Sequence, residues 1–412
     1  MQGTCDLFAT PKLIEEEINT MNATQILEKK ASSGGMTPAQ AAAFVKSCDQ
    51  FRTFREKMER YAGEGDLRRR LLAGLSLYHP EMQTDSLDRK VRMWLNSQTD
   101  LNLDRKTVFE LAFIFGLTTE QTDSFLALMT DEGFRWRDPD EIVTIFALNH
   151  GMNYPEAQKL REEIGPIEMM ADKASDNDEN LTNLVREEVM NLTTKQELKN
   201  YLLENSAKFG KCRNRAWLLF KEYMDRLKKP TIDSGMQILY SNKEDKKNKE
   251  KCLEEKTLST FSVLKEYLHH EMIPRGTKRN EILHDKRITK AQKAMFANIL
   301  AAWPDEASLC KIEKRSMSVG RKTMILLFIA LDEDPIEDED DFETSKEEKA
   351  RERFESRYRR LNLMLVSCGY RQLDARNPFD WMILYAISVD DLFDCDNRLD
   401  ELLSEVFGGM SK

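Results

Sequence analysis

Apolar residues recur along most of the chain at the three- and four-residue spacing of an amphipathic helix. Residues 198–203 and 216–224 follow this spacing, and Gly210 and Pro230 interrupt it. Because a helix returns to the same face every 3.6 residues, this pattern predicts helices that each bury one side. Gly and Pro are scarce, at 17 and 11 of 412 residues, which excludes collagen-like and all-β classes. The sequence therefore predicts an all-α, multi-helical protein, long enough for two or three cores.

One region of this pattern is repeated later in the chain. Residues 105–111 match residues 321–327, and both stretches open an apolar helix. Three further matches keep the same order: they pair Tyr78-His79-Pro80-Glu81 with Ala302-Trp303-Pro304-Asp305, Gly133-Phe134-Arg135 with Gly369-Tyr370-Arg371, and Arg137-Asp138-Pro139 with Arg376-Asn377-Pro378. Several matches in one order indicate an internal duplication. We therefore predict two related helical modules.

The Arg-Asp-Pro and Arg-Asn-Pro elements predict the start of a helix in each module. Asp138 and Asn377 can accept hydrogen bonds from the first backbone N–H groups of a helix, and proline fits the same turn. We expect Arg137 and Arg376 to brace these turns against a carbonyl or carboxylate oxygen, the alternative being that they hold a ligand. Trp381 is expected in the core.

The net charge of -10 hides an uneven distribution. Residues 201–330 hold 27 Lys and Arg against 16 Asp and Glu, whereas both flanks are acidic. An acidic surface repels phosphates, so a nucleic-acid coat over the whole protein is excluded, but a local contact by the basic middle is not. The alternative is that these charges belong to solvated helix faces.

Breaks in the pattern divide the chain into regions. Residues 171–183 alternate acidic and small polar side chains and predict a linker, and the acidic run at 332–341 predicts a loop inserted into the second module. The predicted regions are an N-terminal helical region at 1–70, a first module at 71–170, the linker at 171–183, a basic helical middle at 184–295, and a second module at 296–412 with its insertion at 332–348.

The first module contains a recognisable helix pattern. Residues 86–98 read SLDRKVRMWLNSQ, and the next apolar helix follows at 103–117. These two stretches resemble the third and fourth helices of lambda-repressor-like helix-turn-helix domains, with a weaker likeness at 296–331. The wider chain is similar to uncharacterised helical proteins of Firmicute genomes that carry a degenerate (XRE-type) domain of this kind. No activity is attached to that group, so the resemblance adds architecture and no chemistry.

The resemblance implies roles for the polar residues of this region. In helix-turn-helix domains one helix projects side chains to base edges while flanking donors hold phosphates. These roles fall to Arg89, Lys90 and Arg92 at the bases, Ser86 as the helix cap, and Lys106 and Thr107 on the phosphate backbone. Trp94 would face the core.

Two features depart from the family pattern. Between Pro80 and Ser86 there is room for barely one helical turn, so the usual second helix is shortened or absent. Asp85 and Asp88 also place negative charge where phosphates would lie, which lowers affinity for DNA. A repressor-like fold that serves only as a scaffold is therefore the alternative.

The basic middle contains a second candidate contact. Lys211, Arg213 and Arg215 stand beside Trp217 and Tyr223, and basic residues interleaved with aromatics can bind single-stranded nucleic acid. The same aromatics also fit the buried stripe of an amphipathic helix. The sequence leaves both interpretations open.

Motifs of catalysis and cofactor binding are missing. The sequence has no GxxxxGK, GxGxxG, GxSxG or HExxH pattern, and adjacent His269 and His270 would diverge on a helix, so no cofactor and no metal is expected. The seven cysteines are scattered without CxxC pairs, which favours reduced thiols, and Cys368 is expected in the core. With no signal peptide and no apolar run of about 20 residues, we expect a cytoplasmic protein that does not enter the membrane.

These patterns favour a non-enzymatic, DNA-associated regulator of transcription. Its first module would contact duplex DNA, and the basic middle would add phosphate contacts. The alternative is a helical scaffold that binds a protein partner or itself and binds no nucleic acid. The surroundings of Arg89, Lys90 and Arg92 bear on this choice, because burial or acidic neighbours would favour the scaffold.

Overall fold

A computed structural model describes residues 23–32, 35–97, 101, 103–169, 181–210, 212–241, 276–331, 345–389 and 394–408. Regular structure within these ranges is helical, so the all-α prediction is confirmed. Lys211, the His269–His270 pair, residues 171–180 of the expected linker and residues 332–344 of the expected insertion lie outside the described residues. Residues 181–183 of that linker belong to a helix.

Helices follow one another closely through the first half of the chain. In chain order they are α1 (23–32), α2 (Pro38–Ser47), α3 (Phe54–Ala62), α4 (Leu67–Tyr78), α5 (Thr84–Leu95), α6 (Arg105–Phe115), α7 (Thr119–Thr130), α8 (Pro139–Asn149), α9 (Tyr154–Ile164), α10 (Leu181–Met190) and α11 (Lys195–Glu204).

The second half is built in the same way. Its helices are α12 (Asn214–Ser241), α13 (Gly276–His284), α14 (Lys290–Leu300), α15 (Glu306–Glu313), α16 (Arg321–Ala330), α17 (Lys346–Ser367), α18 (Pro378–Ala386) and α19 (Asp394–Phe407).

The two predicted Pro-containing helix starts are confirmed. Asp138 accepts a hydrogen bond from the backbone N–H of Asp140 (3.1 Å), and α8 begins with Pro139. Asn377 accepts from the backbone N–H of Asp380 (3.2 Å), and α18 begins with proline as well. In both helices the cap side chain satisfies an N–H group that has no partner inside the helix.

Within the described residues, the buried apolar side chains form two cores. The first core draws on residues 54–209, and the second on residues 27–51 together with residues 216–407. Helices α10 and α11 pack on the first core, whereas α12 and α13 pack on the second. The basic middle is thus divided between the cores, because burial follows apolar side chains and not net charge.

The N-terminal helices α1 and α2 pack on the second core, beside α18 and α19. Trp381 is fully buried there, as expected, and its indole N–H donates to the carbonyl oxygen of Leu27 (3.2 Å). The hydroxyl of Tyr385 donates to the carbonyl oxygen of Met36 (3.0 Å). The described part of the predicted N-terminal region therefore serves both cores, since α3 and the start of α4 belong to the first.

Further side chains lie where the sequence predicts them. Cys368 is buried at the end of α17, and this burial raises the pKa of its thiol. The guanidinium of Arg137 donates to the carbonyl oxygen of Lys208 (2.8 Å), and that of Arg376 donates to the carboxylate of Glu56 (2.7 Å). Both arginines brace turns, which confirms that interpretation.

Candidate interaction surface

Helix α5 has one buried and one exposed face. Leu87, Val91 and Trp94 are buried at helical spacing, and the Trp94 ring lies 6.0 Å from the ring of Phe54 in the first core. The predicted core position of Trp94 is confirmed. The opposite face, which we call the α5 face, carries exposed Asp85, Ser86, Arg89, Arg92 and Met93.

The start of α5 differs from the expectation. The helix begins at Thr84 with Gln83 in the cap position, and the Gln83 side chain makes no capping bond. The backbone N–H of Ser86 donates to the carbonyl oxygen of Gln83 (2.9 Å), so Ser86 lies in the first helical turn. The prediction that Ser86 caps this helix is wrong.

The turn between α4 and α5 spans residues 79–83 and contains no helix. A helix-turn-helix domain normally braces its reading helix with another helix at this place. The departure noted from the sequence, a second helix shortened or absent, is therefore confirmed. Helix α5 packs directly against α4 and α3.

Asp88 organises the charges of the α5 face. Its carboxylate accepts from Nη2 of Arg68 on α4 (2.6 Å) and forms an ion pair with Nη2 of Arg92 (2.8 Å). The hydrogen bond from Arg68 is the main cause that lowers the pKa of Asp88, so this carboxylate is ionised at neutral pH. The Asp88 carboxylate thus contacts two of the cations that would otherwise meet a phosphate and offsets one of their two charges.

The remaining basic residues of α5 are in two different situations. The ammonium of Lys90 is half-buried and lies 4.9 Å from the centre of the Trp94 ring, a cation–π contact within the protein. Arg89 is exposed, and no ion-pair partner for it occurs among the described residues. Arg89 is therefore the residue of α5 best placed to contact another molecule.

The two predicted phosphate contacts at the start of α6 lie in different environments. Lys106 is exposed. Thr107 is buried, and its hydroxyl and backbone N–H both donate to the carboxylate of Asp104 (2.9 Å each). The expectation that Thr107 contacts a phosphate is therefore corrected, because its hydroxyl closes the cap of its own helix.

The basic residues predicted to bind nucleic acid in the basic middle are not all available at the surface of the protein. Arg213 donates from Nε to Glu132 (2.9 Å) and from Nη2 to the carbonyl oxygen of Gly133 (3.3 Å), so its assignment to nucleic acid is corrected. Arg215 is exposed. Tyr223 is buried, and the indole N–H of Trp217 donates to the carbonyl oxygen of Ile312 (3.0 Å).

The positions of Trp217 and Tyr223 decide between the two interpretations of this stretch. Both side chains pack on the second core, which is the buried stripe of an amphipathic helix. They are not arranged to stack on the bases of a single strand.

An ion pair recurs at matched positions of the two modules. Arg105 donates from Nε and Nη2 to both carboxylate oxygens of Glu141 (2.8 and 2.7 Å). Arg321 donates from Nη1 and Nη2 to both oxygens of Asp380 (2.8 and 2.9 Å). Each pair joins the start of an apolar helix to the helix that follows the Arg-Asp-Pro or Arg-Asn-Pro element. This contact supports the predicted duplication, which stays a prediction.

A second set of polar contacts, here called the junction, joins the segment around residues 131–133 to the second core. Nε of Arg371 donates to Asp131 (2.8 Å), and Glu132 forms an isolated antiparallel bridge with Tyr370. Burial alone would raise the pKa of Asp131, but the charges of Arg371 and Arg321 outweigh it and hold this pKa well below its usual range. The charged side chains of the junction, Asp131 and Arg371, are therefore in their ionised forms.

Sequence reasoning missed the junction. The signal available was the repeated arginine of Gly133-Phe134-Arg135 and Gly369-Tyr370-Arg371, which marks this segment in both modules. Its acidic partner Asp131 precedes only the first of these motifs, so the motif match alone did not indicate an ion pair.

Other site classes find no support in the described residues. No three His, Cys, Asp or Glu side chains among them are grouped so that they could hold a metal ion. In the same residues no helix is long and apolar enough to cross a membrane. No family model, curated protein or solved structure matches the chain, so the likeness to helix-turn-helix domains stays a prediction made from the sequence.

Proposed function

We propose that the protein is a non-enzymatic helical scaffold that binds a protein partner through the α5 face. The observation that carries this proposal is the pairing of Asp88 with both Arg68 and Arg92, next to Met93, which is 60% exposed. A surface that carries both positive and negative charge around an exposed methionine is better suited to bind a protein than the phosphate backbone of a nucleic acid. Met and Arg are enriched where proteins meet each other.

The junction supports the same proposal. Ion pairs and a backbone bridge connect the segment before α8 with the second core, so the two cores are tied at several points. A body joined in this way can present a binding face in a fixed orientation. Binding then costs little ordering of the protein itself.

The test compares two exposed apolar residues on different helices. Met93→Asp places a charge in the centre of the α5 face, whereas Leu363→Asp does the same on α17, where Leu363 is 63% exposed. We expect proteins that co-purify with the wild type from its native cells to be lost with Met93→Asp and kept with Leu363→Asp. Quantitative mass spectrometry measures the loss, and equal recovery with both variants contradicts the proposal.

Duplex DNA is the second candidate partner, and the exposure of Arg89 and Lys106 favours it. A regulator of this kind would use both residues as phosphate or base contacts, with the positive charge of residues 201–330 adding to the attraction. Asp88→Asn separates the two functions, because losing this carboxylate releases Arg68 and Arg92 for phosphates.

If the protein binds DNA, Asp88→Asn strengthens a salt-dependent mobility shift of duplex DNA, and Arg89→Ala combined with Lys106→Ala weakens it. The matched control is Glu355→Gln, which removes an exposed carboxylate from an ion pair on α17. Absence of any shift at low ionic strength, for the wild type and for Asp88→Asn, excludes this second candidate.

A further inference from the structure

Met93, in the centre of the α5 face, carries an accessible sulfur atom. Its side chain is 60% exposed, more than that of any other methionine among the described residues. Met190 and Met82 follow at 41% and 38%, whereas Met58 and Met295 in the cores are at most 2% exposed. An oxidant must reach a sulfur atom to react with it, so exposure is the first condition for oxidation. Met93 meets this condition best.

The sulfur of Met93 differs from that of Met190 in its hydrogen bonding. Met190 lies on α10, and its sulfur accepts from Nδ2 of Asn149 (3.2 Å). Within the part of the chain that the structure describes, the sulfur of Met93 has no such donor. An oxidant bonds to a sulfur lone pair, so a donor that already uses a lone pair slows the reaction. Met190 is therefore a comparison residue on the same core.

The product of oxidation would find a hydrogen-bond donor on its own helix face. Residues four apart on a helix are neighbours, and Arg89 precedes Met93 by four positions. Arg89 is exposed and has no ion-pair partner among the described residues, whereas Arg92 is paired with Asp88 (2.8 Å). A thioether sulfur is only a weak acceptor for a guanidinium. A sulfoxide oxygen is a stronger one, and Arg89 is the side chain placed to donate to it.

We propose that Met93 is a modification site at which a hydroperoxide switches off the α5 face. A lone pair of the sulfur forms a bond to one peroxide oxygen, and the O–O bond breaks. The sulfur is oxidised by two electrons, the peroxide is reduced, and with hydrogen peroxide the second oxygen leaves as water. The methionine sulfoxide accepts a hydrogen bond from Arg89. The apolar centre of the face becomes polar, and its available cation is occupied.

A partner that packs on Met93 then has to bury the new oxygen. If the oxygen keeps the hydrogen bond from Arg89, the partner loses this cation. If the oxygen gives up the bond, it is buried without a donor, which weakens binding by at least about fivefold. As regulation of partner binding, the modification rests on the proposed function.

Oxidation of the full-length protein alone tests the modification site. The purified protein is treated with hydrogen peroxide, and peptide mass spectrometry follows the sulfoxide at each methionine over time. We expect Met93 to react at least about threefold faster than Met190, while Met58 stays reduced because it is buried. A rate for Met93 equal to or below that of Met190 overturns the proposal.

The role of Arg89 is tested on the same samples. Exchange of its Nε–H with solvent, measured by nuclear magnetic resonance, should slow when the wild type is oxidised, because the proton is then held by the sulfoxide oxygen. The same treatment should leave this exchange unchanged in Met93→Leu, which has no sulfur to oxidise. Unchanged exchange in the oxidised wild type contradicts the hydrogen bond to Arg89.

The effect on binding is measured as the recovery of co-purifying proteins before and after treatment, once the peroxide has been removed. The oxidised wild type should recover at least about fivefold less. Peroxide should not change the recovery with Met93→Leu, whatever its starting level, and Met190→Leu is the matched control that responds like the wild type. Equal losses in the wild type and Met93→Leu overturn the switch. The comparison of Met93→Asp with Leu363→Asp uses no peroxide, so the proposed function and the switch can fail separately.

Discussion

Glu132 is an acidic residue in the interior, 9% exposed, at the place where the two cores meet. Burial alone would raise its pKa, but the charges of Arg213, Arg135 and Arg105 lower the pKa to about 2. A carboxylate surrounded in this way depends on its arginines, and they depend on it. Removing one member leaves buried charge without compensation, which is strongly destabilising.

We expect Glu132→Gln to lower the free energy of unfolding at pH 7 by on the order of 3 kcal/mol. The pKa of Glu132 is lower in the folded protein than the ordinary glutamate value of about 4.3. Its contribution is therefore complete above that value and is lost as the pH falls towards about 2. Urea unfolding between about pH 2.5 and pH 7 should thus show a steeper loss in acid for the wild type than for Glu132→Gln.

Glu355→Gln is the control for this measurement. Glu355 pairs with Arg351 one turn away on α17, and both side chains are exposed, so the change should cost less than about 0.5 kcal/mol. Parallel pH curves for the wild type and Glu132→Gln would show that Glu132 does not hold the cores together.

Side chains whose environment is set by their own helix were predictable from the sequence. Trp94 and Trp381 lie in the cores because apolar spacing places them on the buried face. Arg213 was misassigned because its partner, Glu132, is 81 residues away in the chain. Thr107 was misassigned for a local reason, since Asp104 competes for its hydroxyl.

At the scale of elements, α4 and α6 approach each other closely at Gly74. A Cβ atom at this position would lie 2.4 Å from Cγ1 of Ile114, closer than atoms can pack. This glycine therefore provides space and not backbone freedom. The close approach also brings α6 near the turn that carries His79.

We expect Gly74→Ala to lower the free energy of unfolding by about 1–3 kcal/mol, because the added methyl group overpacks the contact. This would happen although alanine favours a helix over glycine by about 1 kcal/mol. Ser76→Ala is the control, since Ser76 is exposed on the same helix. Thermal and urea unfolding measure both variants, and a gain in stability for Gly74→Ala would contradict the close packing.

Helix positions followed from the sequence better than helix ends. Ser86 is a favoured capping residue by type, yet α5 starts at Thr84, two residues earlier. The turn before this start contacts α6, where Nε2 of His79 lies 3.0 Å from Oε2 of Glu110. Such contacts are not visible in the local pattern.

At the scale of the whole molecule, the length of the chain predicted two or three cores, and the described residues form two. Which residues belong to each core was not predicted. The basic region of the sequence spans residues 201–330. The boundaries between the two cores lie elsewhere, between residues 209 and 216 and between residues 51 and 54. The contact of α1 and α2 with α18 and α19 spans most of the chain. No spacing rule connects residues that far apart.

The position of α1 and α2 has a consequence for the order of folding during synthesis. The first core uses residues 54–209 and can assemble while the rest of the chain is still being made. Leu27 and Val45 are buried in the same core as Trp381 and Leu402, which are synthesised much later. At typical rates of translation these apolar residues wait for roughly half a minute. During that interval they lack the partners that bury them in the folded protein, and a chaperone could bind them.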